Sequence, residues 1–284
     1  MRAVSSLVLC VMIGTSAIGG GAAFAHDWYI QAVDYALPGP GKAMIFQGWG
    51  HKLPLDDAIA GEKIAQLQLL APDGTKSEIT VDPGRSFHAL DVELAAPGTY
   101  TLVGESVPGY YQIYRDKAGK VHHTTKALDE LQDVEQVFFS CRAFQNPKTH
   151  IVVGAPESAA APTPVQSKLE IVMEQIPGSV RAGDRLTFQV LQDGKPAPDE
   201  ATYDATYLGY SSIPEDYVYK ARHVSGGAGQ IDLPCAGTWY VRVHLIQPAP
   251  EELSGKCKNL MYNATLTLEV GQRKTGREGA SHDD

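Results

Sequence analysis

Nine histidines and three cysteines beyond residue 25 are the side chains of this chain best suited to bind or react. His26 is preceded by Ala23-Phe24-Ala25, an A-x-A cleavage pattern, and followed by Asp27-Trp28-Tyr29. Cleavage after Ala25 would make His26 amino-terminal. Its α-amine and imidazole would then form a chelating pair, because an amine with an ordinary pKa of about 7.7–8.0 is readily deprotonated by a metal. His51 stands in Gly48-Trp49-Gly50-His51-Lys52-Leu53-Pro54. Glycines there let the backbone approach a ligand closely and leave the imidazole free to point at one. Imidazole nitrogen suits Ni(II), Co(II), Cu(II) and Zn(II). An amine–imidazole chelate joined by a second imidazole tends toward a planar arrangement, which favours Cu(II) or Ni(II) over Zn(II).

Other histidines have plainer readings beside the chemical one. His88, in Ser86-Phe87-His88-Ala89-Leu90, alternates so as to face inward, as a satisfied core histidine does or as a third ligand would. His122 and His123 are adjacent, so on a strand their rings point to opposite faces and one alone joins a given site; His123 is the candidate. His244 shares a strand face with Arg242 and Tyr240, opposite Trp239, Val241 and Val243, and reads as a surface position. His150 and His223 read the same way, and His282 lies in a polar tail. No H-E-x-x-H, G-x-S-x-G, C-x-x-C or phosphate-cradling glycine loop is present, so nothing in the sequence argues for an enzyme.

These residues must be held by a β framework. Period-two alternation marks strands at 65–69, 98–103 and 148–153, separated by turns such as Pro72-Asp73-Gly74, Asp82-Pro83-Gly84 and Ala96-Pro97-Gly98. Segments 110–114 and 121–125 read as hairpin arms, and 126–134 as a short helix. Further strands are expected at 168–173, 185–191, 201–207, 230–233, 238–245 and 263–270. The fold expected is all-β: two β-sandwich domains in tandem, the second immunoglobulin-like. The divisions are a signal peptide at 1–25, a β-rich metal-binding domain at 26–154, an Ala/Pro linker at 155–166, the second sandwich at 167–271 and a disordered tail at 272–284.

The leader has one cation, Arg2, and an apolar run shorter than the ~20 residues a membrane span needs. A periplasmic protein that does not span the membrane after processing is the expectation. The chain has 284 residues, a formal net charge of −9 and 20% charged residues. This balance argues against nucleic acid or an anionic membrane surface and suits cations. Of the three later cysteines, Cys235 and Cys257 would lie at opposite ends of a hairpin, about 25–30 Å apart, whereas a disulfide needs Cα atoms within about 7 Å. Cys141 with Cys257 is therefore the expected pair, with Cys235 free.

His26-Asp27-Trp28, Gly48-Trp49-Gly50-His51-Lys52-Leu53-Pro54-Leu55-Asp56-Asp57, Pro97-Gly98-Thr99-Tyr100 and Gly237-Thr238-Trp239-Tyr240-Val241-Arg242-Val243-His244 together resemble the family of exported cobalt/nickel-uptake periplasmic components. The resemblance extends over nearly the whole chain after residue 25. It implies a β-rich protein that captures Ni(II) or Co(II) and hands it to a membrane metal transporter subunit. The family's leading His and Gly-His positions correspond to His26 and His51, and the His after its Trp-containing strand to His244. The leading reading adds His88 or His123 as third ligand. The three cysteines depart from the family's simplest picture and leave a thiolate ligand open. Two other readings stand beside it: a copper carrier or oxidative copper enzyme built on the same chelate, and a metal-independent sandwich that binds carbohydrate or protein.

Overall fold

The computed structural model describes residues 26–273. The leader read at 1–25, and all but the first two residues of the tail read at 272–284, lie outside the described residues. Regular structure among the described residues is strand, interrupted by four 3-10 turns, with no α-helix. The first half carries β1 (Asp27–Ala32), β2 (Ala36–Leu37), β3 (Gly41–Gly50), β4 (Ile64–Leu70), β5 (Lys76–Glu78), β6 (Ala89–Leu94), β7 (Gly98–Ser106), β8 (Gly109–Asp116), β9 (Val121–Thr124) and β10 (Val134–Val153). The second half carries β11 (Leu169–Met173), β12 (Arg185–Gln192), β13 (Lys195–Pro196), β14 (Thr202–Tyr207), β15 (Tyr219–His223), β16 (Ala228–Asp232), β17 (Gly237–Pro248) and β18 (Asn259–Val270).

The alternation that marks these strands also decides how they pack. Trp28, Ile30, Ile45, Val92 and Leu94 of the three-stranded sheet β1-β3-β6 close on Leu67, Leu69, Tyr100, Leu102, Ile151 and Val153 beneath them. Leu169, Ile171, Leu186, Phe188 and Val190 of the β11–β12 sheet close on Trp239, Val241, Val243, Leu266 and Leu268. Each is a sandwich, and both use opposite ends of one large sheet ordered β15-β14-β17-β18-β10-β7-β4-β5. The seam between the halves is the parallel pairing of β10 with β18, from Cys141↔Asn259 to Thr149↔Thr267. β10, 20 residues long, is thus the spine: its first part pairs with β8, its middle with β18 and its end with β7.

The hairpin read at 110–125 forms, with Gln112 opposite Thr124. The helix read at 126–134 does not. One 3-10 turn, Leu128–Glu130, stands there, because Leu128 N–H donates to the Lys256 carbonyl and β10 already claims Val134. The β17–β18 register puts Gly237 opposite Val270 and Pro248 opposite Asn259, which separates Cys235 from Cys257 along the hairpin. All three cysteines are free thiols, so the expected Cys141–Cys257 bond is absent. The two are nonetheless neighbours: burial, and then the Cys257 thiol, push Cys141 up to about 12.

A buried ion pair ties β10 to β11 across the two halves. The Lys148 ammonium pairs with Glu170, and both are almost fully buried. Glu170 also accepts the N–H groups of Val165 (2.7 Å) and Gln166 (3.0 Å), pinning the end of the Ala/Pro segment. Removing one partner of a buried pair strands the other charge. Glu170→Gln is expected to cost about 3 kcal/mol in urea unfolding, with much of it recovered in Lys148→Met/Glu170→Leu. A cost below about 1 kcal/mol, the range of exposed pairs, would contradict this.

His150 is buried, with Nδ1 3.0 Å from Thr101 Oγ1. Burial, and then the nearby Lys148 charge, push its pKa down to about 3. The folded state therefore holds it neutral where the unfolded chain protonates it. Its contribution to stability is complete above pH 6.5 and is lost as pH falls toward 3. The stability advantage of the native chain over His150→Gln should shrink by about 2 kcal/mol between pH 7.5 and pH 5. Parallel unfolding curves for the two at both pH values would refute that.

Candidate functional site

β1 alternates Asp27, Tyr29 and Gln31 on one face with Trp28, Ile30 and Ala32 on the other, and all six are buried. The apolar face fills the first core. The polar face packs on the second half of the chain. Thr265 Oγ1 donates to the Trp28 carbonyl (2.7 Å), and Thr267 Oγ1 donates to that of Ile30. β1 pairs antiparallel with β3, Asp27 opposite Gly50, so the next pair outward is His26 with His51. Their rings meet edge-on with centroids 4.7 Å apart.

Each member of this pair is held by backbone as well as side chain. Gln145 clamps the start of β1: its Nε2 donates to the His26 carbonyl (2.6 Å) and its Oε1 accepts Trp28 N–H (3.0 Å). The His51 loop is pinned from both halves. Tyr29 hydroxyl donates to the Lys52 carbonyl (2.9 Å), Tyr217 hydroxyl to the His51 carbonyl (2.6 Å), and His51 N–H to Asp56 Oδ2 (3.1 Å). Gly50 has φ +138°, and a Cβ there would lie 2.4 Å from that of Asp56, so the turn into His51 requires glycine.

His51 Nδ1 lies 2.5 Å from Glu215 Oε1. A carboxylate only accepts, so Nδ1 carries the proton and Nε2 presents its lone pair. This carboxylate–imidazole arrangement is how proteins orient metal-binding histidines. The Glu215 hydrogen bond is also the main reason that the His51 pKa is raised. Burial, and then the His51 charge, push His26 below its usual value, toward the neutral form a metal needs. Glu215 itself would be raised by burial, but His51 and Arg242 hold it down at about 2.

Behind Glu215 lies a buried charge cluster. Arg242 donates from Nη1 to Asp27 Oδ2 (2.8 Å) and Glu215 Oε1 (3.0 Å), from Nη2 to Glu215 Oε2, and from Nε to Asp204 Oδ2 (2.9 Å). Its guanidinium lies 4.5 Å from the centre of the Tyr217 ring. Asp27 Oδ1 lies 2.9 Å from His244 Nε2. Burial alone would raise Asp27, but His244 and Arg242 keep it far below the usual carboxylate range. One guanidinium thus ties the first strand, the 211–216 loop and the central sheet to the rear of His51.

The expected site residues divide accordingly. His26 and His51 come together. His123 lines the same cavity as both, with Nδ1 2.8 Å from the Tyr111 hydroxyl, while His122 turns away to Asp116 (2.7 Å). His88 is buried opposite Gln47, whose N–H donates to its carbonyl, and is not part of that cavity. His244 is not the surface residue the alternation implies. It is 4% exposed, because the polar face of β17 is covered by β1 rather than by water. Among the described residues no three His, Cys, Asp or Glu side chains gather closely enough to hold a metal. The expected third ligand from His88 or His123 is therefore not assembled beside the His26–His51 pair. Asp27, Asp204, Glu215 and Arg242 escaped the sequence reading. The one local hint was Arg242 sharing a face with His244.

No helix among the described residues is long and apolar enough to cross a membrane. A solved structure titled "D0-D1 domain of Intimin" matches at 11% identity over 85% of this chain and 97% of that one, with a TM-score of 0.22. No curated protein matches. A family model described as "Domain of unknown function (DUF4198)" matches residues 23–247, which takes in the first sandwich, the second up to β17, and every residue of the cluster just described. The chain belongs to that family, DUF4198.

Proposed function

We propose that this protein captures a divalent transition-metal ion, Ni(II) or Co(II) with Cu(II) also suited, at His26 and His51 in the periplasm, and delivers it to a membrane metal transporter subunit. The observation that carries the reading is the His26–His51 pair, with rings 4.7 Å apart and His51 Nδ1 tied to Glu215. Two imidazoles and the α-amine freed by cleavage after Ala25 supply three nitrogens, a donor set that fits these metals. The amine lies outside any count of side-chain ligands, which reconciles a metal site with the lack of a three-side-chain cluster. The uptake role rests on the resemblance of the Gly-Trp-Gly-His segment and the leading histidine to exported cobalt/nickel-uptake components. Metal is cargo in this reading, and no catalytic step is assigned.

The test is calorimetric titration of protein beginning at His26 with Ni(II), Co(II), Cu(II) and Zn(II), beside a variant carrying one alanine before His26. Tight one-to-one binding lost in the variant supports the chelate and ranks the metals. Equal binding by both forms would sink it. A preference for Cu(II), with peroxide formed when a reductant is added, would move the reading to copper chemistry.

A further inference from the structure

A cavity of about 790 Å³ opens directly from the His26–His51 pair. That volume lies in the range of about 300–1,000 Å³ typical of pockets for small organic ligands, and far exceeds what a bare ion needs. Part of its wall is aromatic, formed by Trp49, Tyr110 and Tyr111, with His123 lining it beside Tyr111. Trp49 joins the metal end to a cationic end. Its ring meets that of His26 with centroids 6.0 Å apart, and the Lys63 ammonium lies 5.1 Å from its centre. Lys63 has no carboxylate partner among the described residues, although Glu62 also lines the cavity. On the metal side, three protein nitrogens leave at least one position open even on a square-planar ion.

We propose that the cargo is a metal chelate: an ion held by His26 and His51 together with a small carboxylate-bearing organic chelator seated in this cavity. The chelator's donor atoms complete the coordination the protein leaves open. Its free carboxylate meets Lys63, and its body lies against Trp49, Tyr110 and Tyr111. The cavity thereby selects among complexes of one metal as well as among metals. This inference rests on the metal reading above.

The test is native mass spectrometry with parallel calorimetry on protein beginning at His26. It uses Ni(II) alone, Ni(II) with L-histidine and Ni(II) with citrate. The expected result is a ternary complex of protein, Ni(II) and one chelator in at least one of the two mixtures. In Lys63→Ala the ratio of ternary to binary complex should fall at least tenfold, and Lys63→Arg should restore it. If Ni(II) binds alone and both chelators merely compete it away, the chelate proposal is overturned and the metal site stands. A ternary complex indifferent to Lys63 overturns the assignment of the cavity. Absence of Ni(II) binding in all three mixtures overturns both the chelate proposal and the metal reading.

Discussion

His51→Ala is expected to weaken Ni(II) binding by about 100-fold or more, and a single residue added before His26 to do the same. Each change removes one of the three proposed nitrogen donors, whereas loss of a mere orienting partner already costs about 10–100-fold in metal affinity. Glu215→Gln provides that smaller step. The amide oxygen can still accept from His51 Nδ1–H but without the carboxylate's charge, and the amide NH2 is a donor that suits the other tautomer, so the ring's tautomer is no longer fixed. Affinity should fall about 10–100-fold while urea unfolding shows the chain still folded. The ordering of the three variants is the informative part. If Glu215→Gln matched native affinity, the Glu215 contact would be structural only. Affinity unaffected in His51→Ala would remove His51 from the site altogether.

The second large effect falls on stability. Arg242 is 3% exposed and balances Asp27, Asp204 and Glu215. Arg242→Met preserves much of the volume and leaves three carboxylates facing one another. Breaking one buried pair costs about 3–5 kcal/mol, and here one side chain serves three anions. A loss of at least about 4 kcal/mol, or roughly 10 °C in Tm, is expected. Asp27→Asn added to Arg242→Met should recover part of it, since one stranded charge is then gone. A Tm change within a few degrees would show that water reaches the cluster. A fold that survives Arg242→Met would also lose metal affinity, because Glu215 would no longer be held behind His51.

Much of the scaffold is legible in residue order. Alternation at 98–103, 148–153, 185–191 and 238–245 falls within β7, β10, β12 and β17, and the hairpin at 110–125 pairs as its turn residues imply. Strand ends move outward, as at β17, whose Gln247 and Pro248 still pair with Leu260 and Asn259. The shared sheet is not legible. Parallel pairing of β10 with β18 joins residues more than 110 positions apart, and no local pattern encodes that register.

The site is half legible for the same reason. His26 and His51 are conspicuous because of the cleavage pattern and the flanking glycines. Their neighbours Arg242 and His244 look like a solvated strand face, because a polar face covered by another strand has the same period as one covered by water. Only the polar positions of β1, Asp27, Tyr29 and Gln31, carry the complementary pattern. Glu215 stands 164 residues from His51, in a loop with no periodicity.

The proposed function depends on metal binding through the amine and imidazole of His26 together with His51. An anomalous-diffraction crystal structure of Ni(II)-loaded protein beginning at His26 tests it most directly. The expected map has one strong nickel peak bonded to the His26 amine, the His26 imidazole and His51 Nε2, with His51 Nδ1 still on Glu215. A peak at His88, at His122 and His123, or on a cysteine sulfur, with none between His26 and His51, would contradict it.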